Sequence, residues 1–245
     1  MTLAIINDKI LGGVILKTKY IWLSYCINCK TPVYGGGRSF HTDLINKKTS
    51  GYNIQSAFWC FPNHLGTHVD APRHFYKDGM TIDNFDPSFW VFKNVALLEV
   101  QIPEKGYIID TKEILPLLIN KPELLLIKTG MGSYRHKKVY WDNGPGLGPE
   151  LGKTLRRNFP SLRAVGIDTI SINSWKNQEV GREAHRTFLN PIKGKPFILI
   201  EDMDLSQINS QVQIIEVVVL PIRVEGADGS PCTILAKVKH NAEDV

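Results

Sequence analysis

The sequence has no long block of lysine and arginine, no internal repeat and no low-complexity tract. Its 29 basic residues only slightly outnumber its 24 acidic residues, which gives a formal net charge of +5 over 245 residues. A charge that small and that dispersed argues against specific nucleic-acid binding. The hydrophobic content of 43% is ordinary for a globular protein.

Long apolar runs are also missing. The apolar stretch at residues 1–23 is interrupted by charged side chains such as Asp8 and Lys17. It therefore makes a poor signal peptide and is too polar to span a membrane. We expect a cytoplasmic protein with no membrane partner. Because no linker divides the chain, we predict a single domain over residues 1–245.

Cysteines are few, and only Cys26 and Cys29 have the spacing of a redox or zinc motif. A redox pair needs a thiolate that a helix N-terminus or a cation stabilises, whereas Pro32 and the glycines at 35–37 follow here. A zinc knuckle would need a second pair of this kind, which the sequence lacks. We interpret the two residues as reduced cysteines in a loop, with a thiol oxidoreductase as an alternative function.

Short apolar runs mixed with helical patterns indicate the fold class. The pattern predicts strands at residues 96–100, 124–128, 164–167, 197–200, 214–224 and 233–238, the last two around a glycine-rich turn at 225–229. A helix is predicted over residues 149–159, with Pro149 in its first turn. A second helix begins near Asp110, carries Ile114, Leu117 and Leu118 on one face, and is shortened by Pro116. The sequence therefore predicts an α/β fold with a central mixed sheet.

Histidines cluster in one segment. His64, His68, Asp70 and His74 fall within eleven residues, although the chain has only seven histidines. In a helix, His64 and His68 would share one face while Asp70 and His74 pointed nearly the opposite way. In a strand, all four positions have the same parity and would share a face. We therefore interpret this segment as a strand.

Two small residues refine that interpretation. Gly66 removes a side chain that would otherwise stand between the two histidines of the strand. Pro72 cannot continue an interior strand, so His74 is expected in a turn just past its end. Imidazole and carboxylate groups together suit zinc, manganese or iron. Three protein ligands and an open water position are typical of a catalytic metal site.

Further ligands should come from elsewhere in the chain. Glu201 and Asp168 each end a predicted buried strand, where a carboxylate needs a cation or several hydrogen-bond donors. The two compete for the role on these grounds alone. His185 is the remaining candidate imidazole, and we interpret the other histidines, which lie in polar or terminal surroundings, as surface residues: His41, His136 and His240.

The segment from His64 to Phe75, HLGTHVDAPRHF, resembles the signature of the cyclase family of metal-dependent hydrolases, which includes bacterial-type kynurenine formamidase and isatin hydrolase. Blocks that agree with the family follow in the same order: 126–130, 165–172, 184–186, 200–205, 220–223 and 226–231. The resemblance implies a swivelling β/α/β-type fold. It also implies a site with one or two zinc or manganese ions, and a homodimer or higher homo-oligomer.

The resemblance also assigns roles by position. It implies that His74 is the catalytic histidine, and it favours Glu201 over Asp168 as a ligand. The positions that match family metal ligands are His64, His68, Asp70, His185 and Glu201.

Three features depart from the family pattern. Tyr25 stands where a histidine is common, and Asn173 replaces a common acidic residue. The stretch between His185 and Glu201 is longer than usual, with the extra residues around 191–196. We expect that insertion and residues 174–182 to line the mouth of the pocket.

The predicted reaction is metal-assisted hydrolysis of an amide, formamide or lactam bond in a small substrate, such as N-formylkynurenine or an isatin-like molecule. His74 would carry the proton to the departing nitrogen. A group of aromatic residues either forms a wall for a flat ring or packs in the core: Phe58, Trp59, Phe61 and Trp175. The alternatives are a polyketide-type cyclase and a metal-dependent binding protein without turnover, although a pure binding site has no need of His74.

Overall fold

A computed structural model of the chain describes residues 9–11, 14–49, 52–191 and 196–241. Its strands are β1 (Lys9–Leu11), β2 (Val14–Trp22), β3 (His41–Thr49), β4 (Tyr52–Cys60), β5 (His68–Asp70), β6 (Val91–Phe92), β7 (Val95–Glu99), β8 (Ile108–Ile109), β9 (Leu124–Lys128), β10 (Gly146–Leu147), β11 (Ala164–Ile167), β12 (Ile198–Glu201), β13 (Gln213–Pro221) and β14 (Gly229–Asn241). Its α-helices are α1 (Thr111–Ile114), α2 (Lys138–Asp142), α3 (Pro149–Asn158) and α4 (Gln178–Leu189).

The predicted α/β class with a central mixed sheet is confirmed. Ten strands form one sheet with the order β1-β2-β14-β5-β12-β11-β9-β7, and β13 and β6 extend it from β14. Strands β7, β9, β11 and β12 are parallel, whereas β5 runs antiparallel to both β12 and β14. Strand β5 therefore lies between the parallel half and the antiparallel half of the sheet. Two smaller sheets pair β3 with β4 and β8 with β10.

The central strands are apolar throughout because both of their faces are buried. On β9, Leu124 and Leu126 join a core cluster on one side of the sheet, while Leu125 and Ile127 join a cluster on the other side. The second cluster includes residues of the helices α3 and α4. Burial on both faces gives continuous apolar runs, and for that reason the sequence located β9 and β11 at their observed bounds.

The helix predictions hold in different degrees. Helix α3 begins at Pro149 as predicted and ends one residue early, at Asn158. Helix α1 has Asp110 as its cap but ends at Ile114, so the prediction that Leu117 shares its buried face is wrong. Leu117 is 51% exposed, since Pro116 prevents the helix from continuing. Among the described residues no helix is long and apolar enough to cross a membrane.

The predicted strand from His64 to Asp70 is also wrong in its extent. Strand β5 begins only at His68, and His64 lies in the turn before it. Gly66 has a φ of +67°, a left-handed conformation that glycine adopts without strain and that a strand does not contain. Gly66 is therefore needed for its backbone, and it turns the chain into β5. The expected turn beyond the strand is present as a 3-10 turn at Pro72–His74.

Candidate metal centre

The histidine-rich segment brings three side chains together. His68 and Asp70 occupy alternate positions of β5 and so point to the same side of the sheet. They are only 4% and 1% exposed. His64 reaches Asp70 from the preceding turn, with its Nδ1 2.8 Å from Asp70 Oδ1. The turn and the strand together thus place two imidazoles around one buried carboxylate.

Two further side chains reach the same place from other elements. Glu201 ends β12 and is paired with His68 in the antiparallel ladder between β12 and β5. His185 lies on α4, the helix that packs against β12. Both side chains are buried. The structure therefore gathers all five residues that match family ligands, although whether they bind a metal stays a prediction.

The buried groups are spaced rather than tightly paired. His68 Nε2 lies 3.4 Å from Asp70 Oδ1 and 3.4 Å from Glu201 Oε2. His185 Nε2 lies 3.5 Å from Asp70 Oδ2 and 3.4 Å from Glu201 Oε1. Direct charge-assisted hydrogen bonds are shorter, at about 2.7–2.9 Å. Two trios of potential ligands share Asp70: His64 with His68 and Asp70, and Asp70 with His185 and Glu201. Within each trio the nitrogen and oxygen atoms that could bind a metal lie within 4.8 Å of one another.

Hydrogen bonds to groups outside the cluster orient its side chains. The Nδ1 atoms of His68 and His185 donate to the carbonyl oxygens of Gly66 and Gly181, each at 2.8 Å. The other ring nitrogen of each histidine, Nε2, therefore faces the carboxylates of Asp70 and Glu201. Glu201 Oε1 accepts from the Ile172 amide at 2.7 Å. Such outer contacts are typical of metal-binding imidazoles and carboxylates, so the donor set fits a divalent ion.

The electrostatics of the cluster indicate that it needs positive charge. Burial alone raises the pKa of a carboxyl group, but the neighbouring imidazoles of His185, His64 and His68 hold the pKa of Asp70 well below its usual range. Burial and the charge of Asp70 both raise the pKa of Glu201, but the imidazoles of His185 and His68 outweigh them and lower it to about 2. Burial lowers the pKa of His185, yet Asp70 and Glu201 outweigh it and raise that pKa to about 10. Protons on the histidines thus balance the two carboxylates.

His74 lies beside the cluster and pairs with Asp228, a residue that the sequence reasoning missed as a site residue. His74 Nδ1 is 2.9 Å from Asp228 Oδ2, and His64 Nε2 is 3.1 Å from the same oxygen. Hydrogen bonds from these two histidines hold the pKa of Asp228 far below its usual range. Asp228 comes from the glycine-rich turn before β14, which the pairing of β14 with β5 brings to the site. No spacing in the sequence could link residues so distant along the chain.

His64 donates hydrogen bonds from both ring nitrogens, because each faces a carboxylate, which can only accept. Burial lowers its pKa, but the hydrogen bonds to Asp228 and Asp70 prevail and raise it to about 9. The protonated ring therefore acts as a cation between two acids.

Asp168, the competing carboxylate, is not part of the cluster. Its two oxygens accept hydrogen bonds from the amides of Thr129 and Gly130, each at 2.8 Å, and Oδ1 also accepts one from the Thr129 hydroxyl at 2.7 Å. It ties the end of β11 to the loop after β9.

His41 and His136 are exposed, as predicted, whereas the side chain of His240 lies outside the described residues.

Aromatic side chains at the surface do not form one wall. Phe58 and Trp59 are 59% and 65% exposed on β4, so neither packs in the core. Trp175 meets the ring of Tyr34 edge to face at 5.4 Å between centroids. The Tyr34 hydroxyl is buried, and no atom of the described residues makes a hydrogen bond with it. Burial, and then the negative charge of Glu201, raise the pKa of Tyr34 to about 12, so a protonated donor lies near the cluster.

The cysteine pair is separate from this arrangement. Cys26 and Cys29 are free and exposed, and the loop that carries them has no helix at either residue. That geometry favours the interpretation as reduced loop cysteines. Residues 192–195 of the expected insertion lie outside the described residues.

The chain is similar to known proteins in both sequence and fold. The family model for Cyclase matches residues 21–174. The kynurenine formamidase of Bacillus anthracis is 25% identical over 217 residues, which cover 88% of this chain and 96% of that protein. A solved structure described as a predicted metal-dependent hydrolase from Bacillus stearothermophilus is 21% identical, has a TM-score of 0.71, and is matched over 90% of this chain and 98% of its own. Isatin hydrolase A from Labrenzia aggregata is 18% identical with a TM-score of 0.72, over 90% and 93% of the two chains.

Metal binding to this cluster should release protons. The pKa values of His64 and His185, raised to about 9 and about 10, keep both imidazoles protonated at pH 7 in the metal-free protein. An ion must displace protons from the imidazoles it binds, so the metal affinity should rise with pH between pH 6 and pH 8. Calorimetric titration of Zn²⁺ in buffers of different ionisation enthalpy should show that protons are released on binding at pH 7.

His41→Ala is the matched control for that measurement. His41 is exposed and contacts only Asp43 among the described ion pairs, so its loss should leave the proton count unchanged. Binding without proton release in the unmodified protein would contradict this description of the cluster.

Proposed function

This chain belongs to the cyclase family, and on that premise we propose that it is a metal-dependent hydrolase that cleaves an amide, formamide or lactam bond of a small substrate. The proposal rests mainly on the five potential metal ligands gathered in the cluster and on a sixth residue, His74, that lies beside them. A structural metal site needs only the ligands. The additional imidazole, held by a carboxylate at the partly exposed edge of the cluster, is what hydrolysis requires.

We assign the ligand role to the trios that share Asp70. Asp70, His185 and Glu201 would hold one ion together with His68, and His64, which contacts Asp70 Oδ1, would complete the set of ligands. Zinc or manganese, as one ion or two, suits these donors. When bound, such an ion polarises a carbonyl group and makes its water a nucleophile near neutral pH.

His74 is proposed to move the proton in this reaction. The Asp228 carboxylate can only accept a hydrogen bond, so the Nδ1 of His74 donates to it. The ring is thereby held in one orientation, with Nε2 left to exchange a proton with the departing nitrogen. The side chain of His74 is 30% exposed, which gives a substrate access to it.

The buried Tyr34 hydroxyl, which has no hydrogen-bond partner among the described residues, supports the proposal of an amide-like substrate. An unpaired donor in a buried place has a free-energy cost that a substrate carbonyl oxygen would remove by accepting the hydrogen bond. The ring of Trp175, 42% exposed beside Tyr34, offers a face to a flat substrate. We therefore propose an arylformamide of the N-formylkynurenine type or an isatin-like lactam, in line with the activities named for two relatives, kynurenine formamidase and isatin hydrolase.

Mutation should distinguish the proton-transfer role of His74 from the metal-binding role of Glu201. His74→Ala should keep the metal content of the protein and lower turnover by about 100-fold or more, the usual contribution of a general acid or base. Glu201→Ala should lose both metal and turnover, because it removes a buried ligand. Metal analysis should accompany assays on N-formylkynurenine, isatin and simple anilides.

His136→Ala, at an exposed histidine, is the matched control and should change neither quantity. Full turnover in His74→Ala would contradict its assigned role. Hydrolysis of none of these compounds by a metal-loaded protein would contradict the proposed substrate class.

Tyr34→Phe should affect the reaction without affecting the fold. The lost hydroxyl has no partner among the described residues, so the free energy of unfolding should stay the same or rise slightly. The loss of one donor to the substrate carbonyl should lower kcat/KM at least about tenfold. Tyr76→Phe is the control, because the hydroxyl of this half-buried residue already donates to the Arg186 carbonyl. Equal kinetics for the two variants would argue against a substrate contact at Tyr34.

We also propose that the protein is cytoplasmic and forms a homodimer or higher homo-oligomer. The exposed apolar side chains of the β3–β4 hairpin support an assembly: Leu44, Phe58 and Trp59. Light scattering should give a mass of at least twice the 27.6 kDa of one chain, and Trp59→Lys should lower it. A monomeric mass for the unmodified protein would contradict the assembly.

A further inference from the structure

Asp202 has an unusual backbone conformation directly after the proposed ligand Glu201. Its φ is +51°, and no other non-glycine residue in the described part of the chain has a positive φ. Side chains with a Cβ disfavour this region, and it persists only where the surroundings enforce it. In Asp202 the backbone amide, the backbone carbonyl and the side-chain carboxylate all make hydrogen bonds that hold this conformation.

The backbone of Asp202 is tied to two other segments. Its amide donates to the Thr169 carbonyl oxygen at 2.7 Å, and its own carbonyl oxygen accepts from the Thr67 hydroxyl at 2.5 Å. Thr67 directly precedes His68, and its Oγ1 also accepts from the Tyr25 amide at 3.0 Å. A single residue thus connects the chain next to Glu201 with the chain next to His68.

The side chain of Asp202 is held by a buried arginine. Arg135 donates from Nε to Oδ1 at 2.8 Å and from Nη2 to Oδ2 at 2.6 Å, and the Tyr140 hydroxyl also donates to Oδ1. Arg135 and Asp202 are 3% and 1% exposed. The Arg135 guanidinium also lies 4.1 Å from the ring centre of Tyr25. A two-pronged contact of this kind fixes the direction of the carboxylate as well as its position.

A buried ion pair is weak support for stability, because desolvation of the two charges offsets their attraction. The proposed reaction does not use these charges. We propose that Asp202 and Arg135 are a positioning pair, which sets the distance between Glu201 and His68 and so the shape of the metal centre. This inference rests on the proposed metal site, since Glu201 adjoins Asp202 and His68 adjoins its partner Thr67.

The test compares two arginines that lie at opposite ends of the parallel strands. Arg135 follows β9, and Arg163 precedes β11. Arg135→Met removes the contact near the metal centre. Arg163→Met is the matched control, because Arg163 precedes β11 at its other end and contacts Glu123 and the Val91 carbonyl oxygen. Zn²⁺ affinity is measured by competition with a chelator, and Co²⁺-loaded protein gives an absorption spectrum that reports ligand geometry.

Arg135→Met should weaken Zn²⁺ binding by about 10- to 100-fold, as is usual when an outer contact of a metal ligand is lost, and should change the Co²⁺ spectrum. Arg163→Met should leave both unchanged even if the protein becomes less stable. Equal losses of Zn²⁺ affinity in the two variants would overturn the proposal, since they would show a general effect of destabilisation.

A double variant controls for the possibility that Arg135→Met alone fails to fold. Arg135→Met leaves the Asp202 carboxylate buried and unpaired, whereas Arg135→Met with Asp202→Asn removes both charges. The double variant should fold, as circular dichroism would show, and still bind Zn²⁺ weakly. A folded double variant with the affinity and the Co²⁺ spectrum of the unmodified protein would overturn the proposal. Failure of the unmodified protein to bind Zn²⁺ would overturn the proposed function itself, and the positioning role with it.

Discussion

The burial of two carboxylates at one point is the constraint on which the rest of the site depends. Asp70 and Glu201 are each at most 3% exposed and share the same two histidines. Two like charges out of water are unfavourable unless positive charge lies between or beside them. In the metal-free chain protonated imidazoles supply that charge, and a divalent ion would supply it more compactly. The cluster therefore needs positive charge beside its two carboxylates.

The topology of the sheet brings these acids together. Strand β5 lies between β12 and β14 and is antiparallel to both. The ladder with β12 places Glu201 opposite His68, and the ladder with β14 places Gly229 opposite Asp70, which brings Asp228 to His74. Helix α4 then adds His185. Strand β5 and helix α4 thus bring together the proposed ligands and the proposed proton-transfer residue from separate parts of the chain.

Much of this could be predicted from the sequence, and the limits have physical causes. Strands buried on both faces leave continuous apolar runs, so β9 and β11 were located correctly. The density of histidine near His68 indicated a metal, but the strand assigned to His64 was wrong because Gly66 turns the chain there. Asp228 and the contact of Arg135 with Asp202 were missed because they depend on tertiary contacts. No local pattern records contacts of that kind.

Anomalous diffraction from crystals of the full chain grown with Mn²⁺ or Zn²⁺ would show directly whether this cluster binds a metal ion. We predict an anomalous peak among the side chains of Asp70, Glu201, His68 and His185, with ligand distances of about 2.0–2.2 Å. A peak elsewhere in the molecule, or none at this cluster in a metal-saturated crystal, would contradict this prediction.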